Sequence, residues 1–247
     1  MLKSPFLKKI SIASDKVERE VFPFNSMAFL TDDFELTFDQ KITFFVGENG
    51  SGKSTMLEAI AKLCGFHESG GSLDHKNYDS IDHVDSALAK ALQATWLPKV
   101  RQGFFFRSES FFNLANYIDT YGDLNRYYGG QEMHKQSHGE AFLSLFSNRL
   151  GSPTYLLDEP KAALSPQRQL TFLSLLSEWE KSDNTQLIFA THSPILLAYP
   201  NAQIIEFTSE GLRDVEYEET ENYKITKTFL NNPQRYLKEL MDLEVSK

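Results

Sequence analysis

Gly47-Glu48-Asn49-Gly50-Ser51-Gly52-Lys53-Ser54-Thr55 constrains the fold of this chain more than any other segment. It fits the phosphate-loop spacing G-x-x-x-x-G-K-[ST] in full, and the flanking residues supply the context that this spacing requires. Before it, Lys41 to Val46 is a near-continuous apolar run that predicts a central buried strand. After it, Leu57, Ile60, Ala61 and Cys64 recur at helical spacing up to Gly65, predicting a helix. A turn between such elements can aim successive backbone N–H groups inward, and the helix N-terminus adds partial positive charge. Gly47, Asn49, Gly50, Ser51 and Gly52 are therefore the expected anion cradle. Lys53 is expected to reach the terminal phosphates of a nucleotide and Ser54 to reach Mg²⁺, with Thr55 closing the binding segment.

The remaining segments alternate between the two periods. Val21-Phe22, Met27 to Leu30 and Phe34 to Phe38 read as an antiparallel strand region. Further core strands are predicted at Gly103 to Phe106, Thr154 to Leu157, Gln186 to Ala190 and Gln203 to Phe207. Helices are predicted around 87–92, through Phe111, Leu114 and Ile118, and over 140–150, 166–180 and 194–198. Strands alternating with helices argue for an α/β sheet covered on both faces. One domain over 1–247 is expected, with a mostly helical lobe at about 66–150.

Asp158 and Glu159 end the predicted strand Thr154 to Leu157, which puts both carboxylates at the carboxyl edge of the sheet, where α/β proteins bind ligands. Beside a phosphate loop, Asp158 suits a Mg²⁺ ligand and Glu159 suits the base that orients water. His192 follows the strand Gln186 to Ala190 and should emerge at the same edge. Ser137-x-x-Glu140 is a capping box, so a helix should start there with its free N–H groups and dipole pointing outward, an arrangement that suits a phosphate.

Phosphate loop, Leu156-Leu157-Asp158-Glu159-Pro160 and Thr191-His192-Ser193 together resemble the Walker A, Walker B and switch-histidine motifs of the ABC ATPase superfamily, in order and spacing over most of the chain. The resemblance implies an α/β P-loop core of ABC type, with an antiparallel N-terminal strand region and a helical lobe. It implies ATP and Mg²⁺ as ligands, and His192 as a hydrogen-bonding partner of the γ-phosphate. Gln136-Ser137-His138-Gly139-Glu140 occupies the place of the family's signature loop, so Ser137 and Gly139 would meet the γ-phosphate held by a second copy, in an ATP-dependent homodimer. Ser165 stands where many relatives carry aspartate. The glutamine usual after a strand between P-loop and signature is absent, with Arg107 or Glu109 as substitutes. Phe22 lies at a distance suited to stacking on adenine or to a place in the core. The motifs are similar to those of small soluble ATPases related to recombination and chromosome-structure proteins. An energising subunit of a membrane transporter and a slow nucleotide-dependent interaction module are the alternatives.

Bulk properties narrow the setting. With 25 basic and 34 acidic residues the formal net charge is −9, which gives no global support for binding nucleic acid. The single cysteine, Cys64, sits among apolar residues and reads as a packed thiol in a reduced compartment. No stretch reaches the roughly 18 to 20 apolar residues of a membrane span, and a cytoplasmic location is expected.

Overall fold

The computed structural model describes residues 3–67, 70–72, 86–100, 102–121, 130–148 and 153–245. Residues 149–150, the end of the helix predicted over 140–150, lie outside them.

Two sheets and the helix between them position the site. The larger has six strands in the order β5-β6-β7-β3-β8-β9: β3 (Ile42–Gly47), β5 (Gly103–Arg107), β6 (Thr154–Asp158), β7 (Gln186–Ala190), β8 (Gln203–Phe207) and β9 (Leu212–Asp214). All neighbours are parallel except the edge strand β9, which runs antiparallel to β8. The apolar runs predicted β3, β5, β6, β7 and β8 because side chains of a parallel sheet are buried on both faces, whereas the short, exposed β9 carries no such run. Phe44, Phe104, Phe106, Leu157 and Phe189 face one core, whereas Phe45, Phe105, Leu156 and Ile188 face the other.

The second core holds α1 (Lys53–Cys64), sandwiched between the large sheet and a three-stranded antiparallel sheet of order β2-β1-β4. Here β1 is Leu7–Ile12, β2 is Glu35–Thr37 and β4 is Leu92–Trp96. Only β2 lies within the predicted strand region. Val21-Phe22 and Met27 to Leu30 form turns instead, since Pro23 and Asn25-Ser26 break the extended chain. Their apolar residues are nevertheless used, with Phe24, Met27, Phe29 and Leu30 all buried against the α1 layer. Buried Gln186 on β7 joins the sheets: its Oε1 accepts from Phe6 N and Leu7 N at 2.9 and 2.8 Å, and its Nε2 donates to Leu7 O at 3.0 Å.

The opposite core is covered by α3 (Phe111–Tyr121), α4 (His138–Ser147), α5 (Pro166–Lys181) and the short α6 (Pro194–Leu197). The described residues of the interval 66–150 include both helix and strand. Among the described residues, α2 (Ala87–Ala91), α3 and α4 are helical, while β4 joins one sheet and β5 the other, Gly103 to Phe106 being buried on both faces. Helices α7 (Glu221–Asn231) and α8 (Pro233–Val245) follow β9. Cys64 is buried in the α1 layer, and burial pushes its thiol up to about 12, an inert packed group.

Candidate nucleotide site

Three adjacent strands deliver the candidate residues to one sheet edge. In the register, Asp158 on β6 lies opposite Ala190 on β7, and Ala190 lies opposite Phe45 on β3. The chain therefore leaves β6, β7 and β3 at nearly the same level, into Glu159, His192 and the glycine loop.

Within the loop, Gly47, Gly50 and Gly52 have φ of 134°, 79° and 100°, values that L side chains rarely adopt. Gly47 has no room either, as a Cβ there would lie 2.4 Å from Phe207 O. Gly52 caps α1 in the left-handed conformation, packed on Met27. Lys53 is buried and folds back over the loop, its Nζ donating to Gly47 O at 3.0 Å and Glu48 O at 2.6 Å. Burial lowers its pKa, and the charges of Glu159 and Asp158 oppose that shift.

Ser54 Oγ donates to Asp158 Oδ1 at 2.9 Å, so the two residues proposed for a metal are in direct contact. Two hard oxygen donors beside a phosphate loop fit Mg²⁺, which binds through few protein ligands and completes its shell with phosphate and water. Burial raises the Asp158 pKa, with the Ser54 hydrogen bond acting against it. At the end of β5, Arg107 pairs with Glu58 at 2.9 Å and also contacts Glu109. Arg107 lies opposite Asp158 in the register, so the residues considered for the missing glutamine stand near Asp158.

Glu159 has φ 50° and ψ 52°, a left-handed conformation that costs a non-glycine residue about 1–2 kcal/mol. Several bonds hold it there: its N donates to Ala190 O at 2.9 Å, its O accepts from Ala162 N at 3.1 Å, and Ser108 Oγ also donates to that oxygen. The turn aims the carboxylate at His192, whose Nε2 is 3.3 Å from Glu159 Oε1. Glu159 Oε2 is buried and has no hydrogen-bond partner among the described residues. Burial raises the Glu159 pKa and pushes His192 down to about 4, so His192 is neutral at physiological pH.

Gly47, Asn49, Gly50, Ser51 and His192 line one open cleft of about 1200 Å³, which continues past Phe29, Phe207 and Arg213. Phe22 does not line this cleft, nor is it in the core: it is 58% exposed. Thr55 follows Ser54 in the first turn of α1.

Ser137 and Gly139 stand apart, as neither lines the cleft. The expected capping box forms at the start of α4, with Glu140 Oε2 accepting from Ser137 N at 2.9 Å. Arg168, which sequence reasoning missed, donates from Nη1 to Ser137 Oγ at 2.8 Å and from Nη2 to Glu140 Oε1 at 3.0 Å. Ser165 caps α5, its Oγ accepting from Arg168 N. Asn222 on α7 was also missed: its amide donates to His192 O at 2.7 Å. It belongs to no motif, and only Thr220, an N-cap residue two positions earlier, marks the local helix start.

A family described as "AAA domain" matches residues 24–92, and one described as "AAA domain, putative AbiEii toxin, Type IV TA system" matches residues 140–198. The molybdate import ATP-binding protein MolC of Haemophilus influenzae is 30% identical over 173 residues, covering 65% of this chain and 66% of its own length. Translation initiation factor rli1 of Schizosaccharomyces pombe is 27% identical over 74% of this chain, which spans only 30% of that protein. Among solved structures, an inward-facing metal-chelate type ABC transporter aligns with 92% of this chain and 88% of its own, with a TM-score of 0.51 and 17% identity.

Proposed function

We propose that this chain, which belongs to the ABC-type P-loop ATPases, binds ATP with Mg²⁺ and hydrolyses it to ADP and phosphate at a site completed by a second copy. The observation that carries the reading is the pairing of two contacts at one sheet edge, Ser54 with Asp158 and Glu159 with His192. In this reading the loop N–H groups and Lys53 hold the phosphates, and Ser54 and Asp158 would hold Mg²⁺, which would neutralise phosphate charge. Glu159 accepts a proton from the attacking water through its carboxylate. His192, neutral, donates from Nε2 to a phosphate oxygen.

The second copy enters because Ser137 and Gly139 open a helix whose N-terminus lies outside the cleft of its own chain. An outward-facing N-terminus suits the γ-phosphate of a partner's loop. A role apart from membranes is compatible with the described residues, among which no helix is long and apolar enough to cross a bilayer. A second reading, the energising subunit of a membrane importer, is favoured by the molybdate-import relative from Haemophilus and by a tungstate uptake ATP-binding protein of Peptoclostridium acidaminophilum, 26% identical over 64% of this chain. Full turnover by the isolated protein would favour the first reading; turnover only with a co-purifying membrane protein would favour the second.

Glu159→Gln tests the mechanism. General-base catalysis contributes about 10²–10⁴-fold, so turnover should fall by that factor while ATP affinity persists. Because the γ-phosphate then survives, the variant should accumulate as an ATP-bound dimer visible by light scattering. Hydrolysis at the parent rate would remove Glu159 from the chemistry, and a monomer at saturating ATP would remove the shared site.

A further inference from the structure

We propose that Asn222 is a positioning residue that holds His192 in the Nε2–H tautomer, and that the first turn of α7 is thereby part of the hydrolytic apparatus. The proposal rests on the reading of His192 as a phosphate-oxygen donor.

Asn222 Nδ2 lies 2.7 Å from His192 O and 3.4 Å from His192 Nδ1. The first contact decides the orientation of the amide. A backbone carbonyl can only accept, so the atom facing it must be the NH₂ group, and the Asn222 oxygen must point away. The NH₂ group carries two hydrogens. One serves the carbonyl, and the second is available to Nδ1 at longer range. A donor beside Nδ1 favours the ring form in which Nδ1 is the bare acceptor, and in a neutral imidazole the proton then sits on Nε2.

The other end of the ring agrees. Nε2 is 3.3 Å from Glu159 Oε1, an acceptor when ionised, so a bare Nε2 would set two lone pairs against each other. Both neighbours therefore select the same tautomer, and it is the one that presents an N–H at the sheet edge. The segment under Asn222 is tied to the rest of the fold. Thr220, 1% exposed, caps α7 by accepting from Tyr223 N, and Tyr217 OH donates to Pro194 O at 2.9 Å, tying this segment to the start of α6 just after His192. Asn222 also lines the cleft that contains the glycine loop.

The test uses the full chain with nitrogen-labelled histidine, comparing His192 signals, assigned through His192→Ala, in the parent and in Asn222→Leu. Bare and protonated ring nitrogens differ widely in chemical shift, and this readout does not depend on hydrolysis. The parent should show a protonated Nε2 and a bare Nδ1. Asn222→Leu, with the same side-chain branching but without donors, should shift the ring toward a mixture of tautomers. Its kcat should fall about tenfold, with KM for ATP changed less than about twofold. In a His192→Ala background the same substitution should cost nothing further, since its effect runs through the ring. A protonated Nδ1 in the parent, an unchanged ring in Asn222→Leu, or an equal loss in the His192→Ala background would each overturn the assignment. If the parent does not hydrolyse ATP but shows the expected tautomer and its shift, the proposed reaction fails while the positioning contact stands.

Discussion

Ser54 and Asp158 stand 104 residues apart in the chain, and their side chains meet at 2.9 Å, serine donating to carboxylate. The contact joins the start of α1 to the end of β6 and places a buried carboxylate whose ionised form burial disfavours. Replacing Asp158 with Asn keeps an acceptor for Ser54 and removes the charge. Without nucleotide, Asp158→Asn should therefore be more stable than the parent by about 1 kcal/mol, roughly 2–4 °C in Tm for a chain of this size. With Mg²⁺ and ATP the order should reverse, because the variant has lost a metal ligand. Thermal melting with and without Mg²⁺-ATP measures both signs, and a variant that keeps the full Mg²⁺-dependent stabilisation would remove Asp158 from the metal site.

Gly139 allows Arg168 and the chain at Ala163 to approach the first turn of α4. A Cβ there would lie 2.5 Å from Arg168 Nη1, 2.7 Å from Arg168 Cδ and 2.9 Å from Ala163 O. Helix propensity favours alanine over glycine by about 1 kcal/mol, whereas overpacking costs about 1–3 kcal/mol. The backbone oxygen cannot move as a side chain can, so the clash should win and Gly139→Ala should destabilise by about 1 kcal/mol net. Two of the three contacts belong to Arg168, so adding Arg168→Ala should recover part of the loss. Urea denaturation of the two variants and the parent decides this.

Asp119, near the end of α3, accepts from Met133 N at 2.6 Å, from His134 N at 3.0 Å and from His134 Nδ1 at 2.6 Å. Burial by itself would raise its pKa, but those bonds outweigh burial and hold the carboxyl below its ordinary value of 3.8. Its contribution to stability is thus fully present above that ordinary value and is lost as pH falls through the lower folded one. Asp119→Asn should cost about 1 kcal/mol at pH 7, and the gap to the parent should close as the pH drops below 3.8. Denaturation curves at several pH values measure the gap, and a gap that is constant with pH would show that the charge contributes nothing.

Much of this architecture is legible in short windows of the chain. The buried strands β3, β5, β6, β7 and β8 announce themselves as apolar runs because both of their faces are covered, and the phosphate loop is a contiguous pattern whose glycines are required by local backbone geometry. Asp158, Glu159 and His192 could be placed at one edge because each follows such a strand. What the windows do not contain is the partner of each residue. Leu7–Ile12 became a central strand of the small sheet by pairing with β2 on one side and β4 on the other, and its tie to the large sheet passes through Gln186, 180 residues away from Phe6. Phe22 went to solvent while Met27 and Phe29 packed behind Gly52. Arg168 reached Ser137, and Asn222 reached His192, from helices that carry no recognisable motif. Periodicity and loop geometry are properties of neighbours in sequence, so composition and spacing reveal them. Capping by a distant arginine or selection of a tautomer by a distant amide exists only once packing has brought the elements together, because a hydrogen bond depends on distances of a few tenths of an ångström that no local preference specifies.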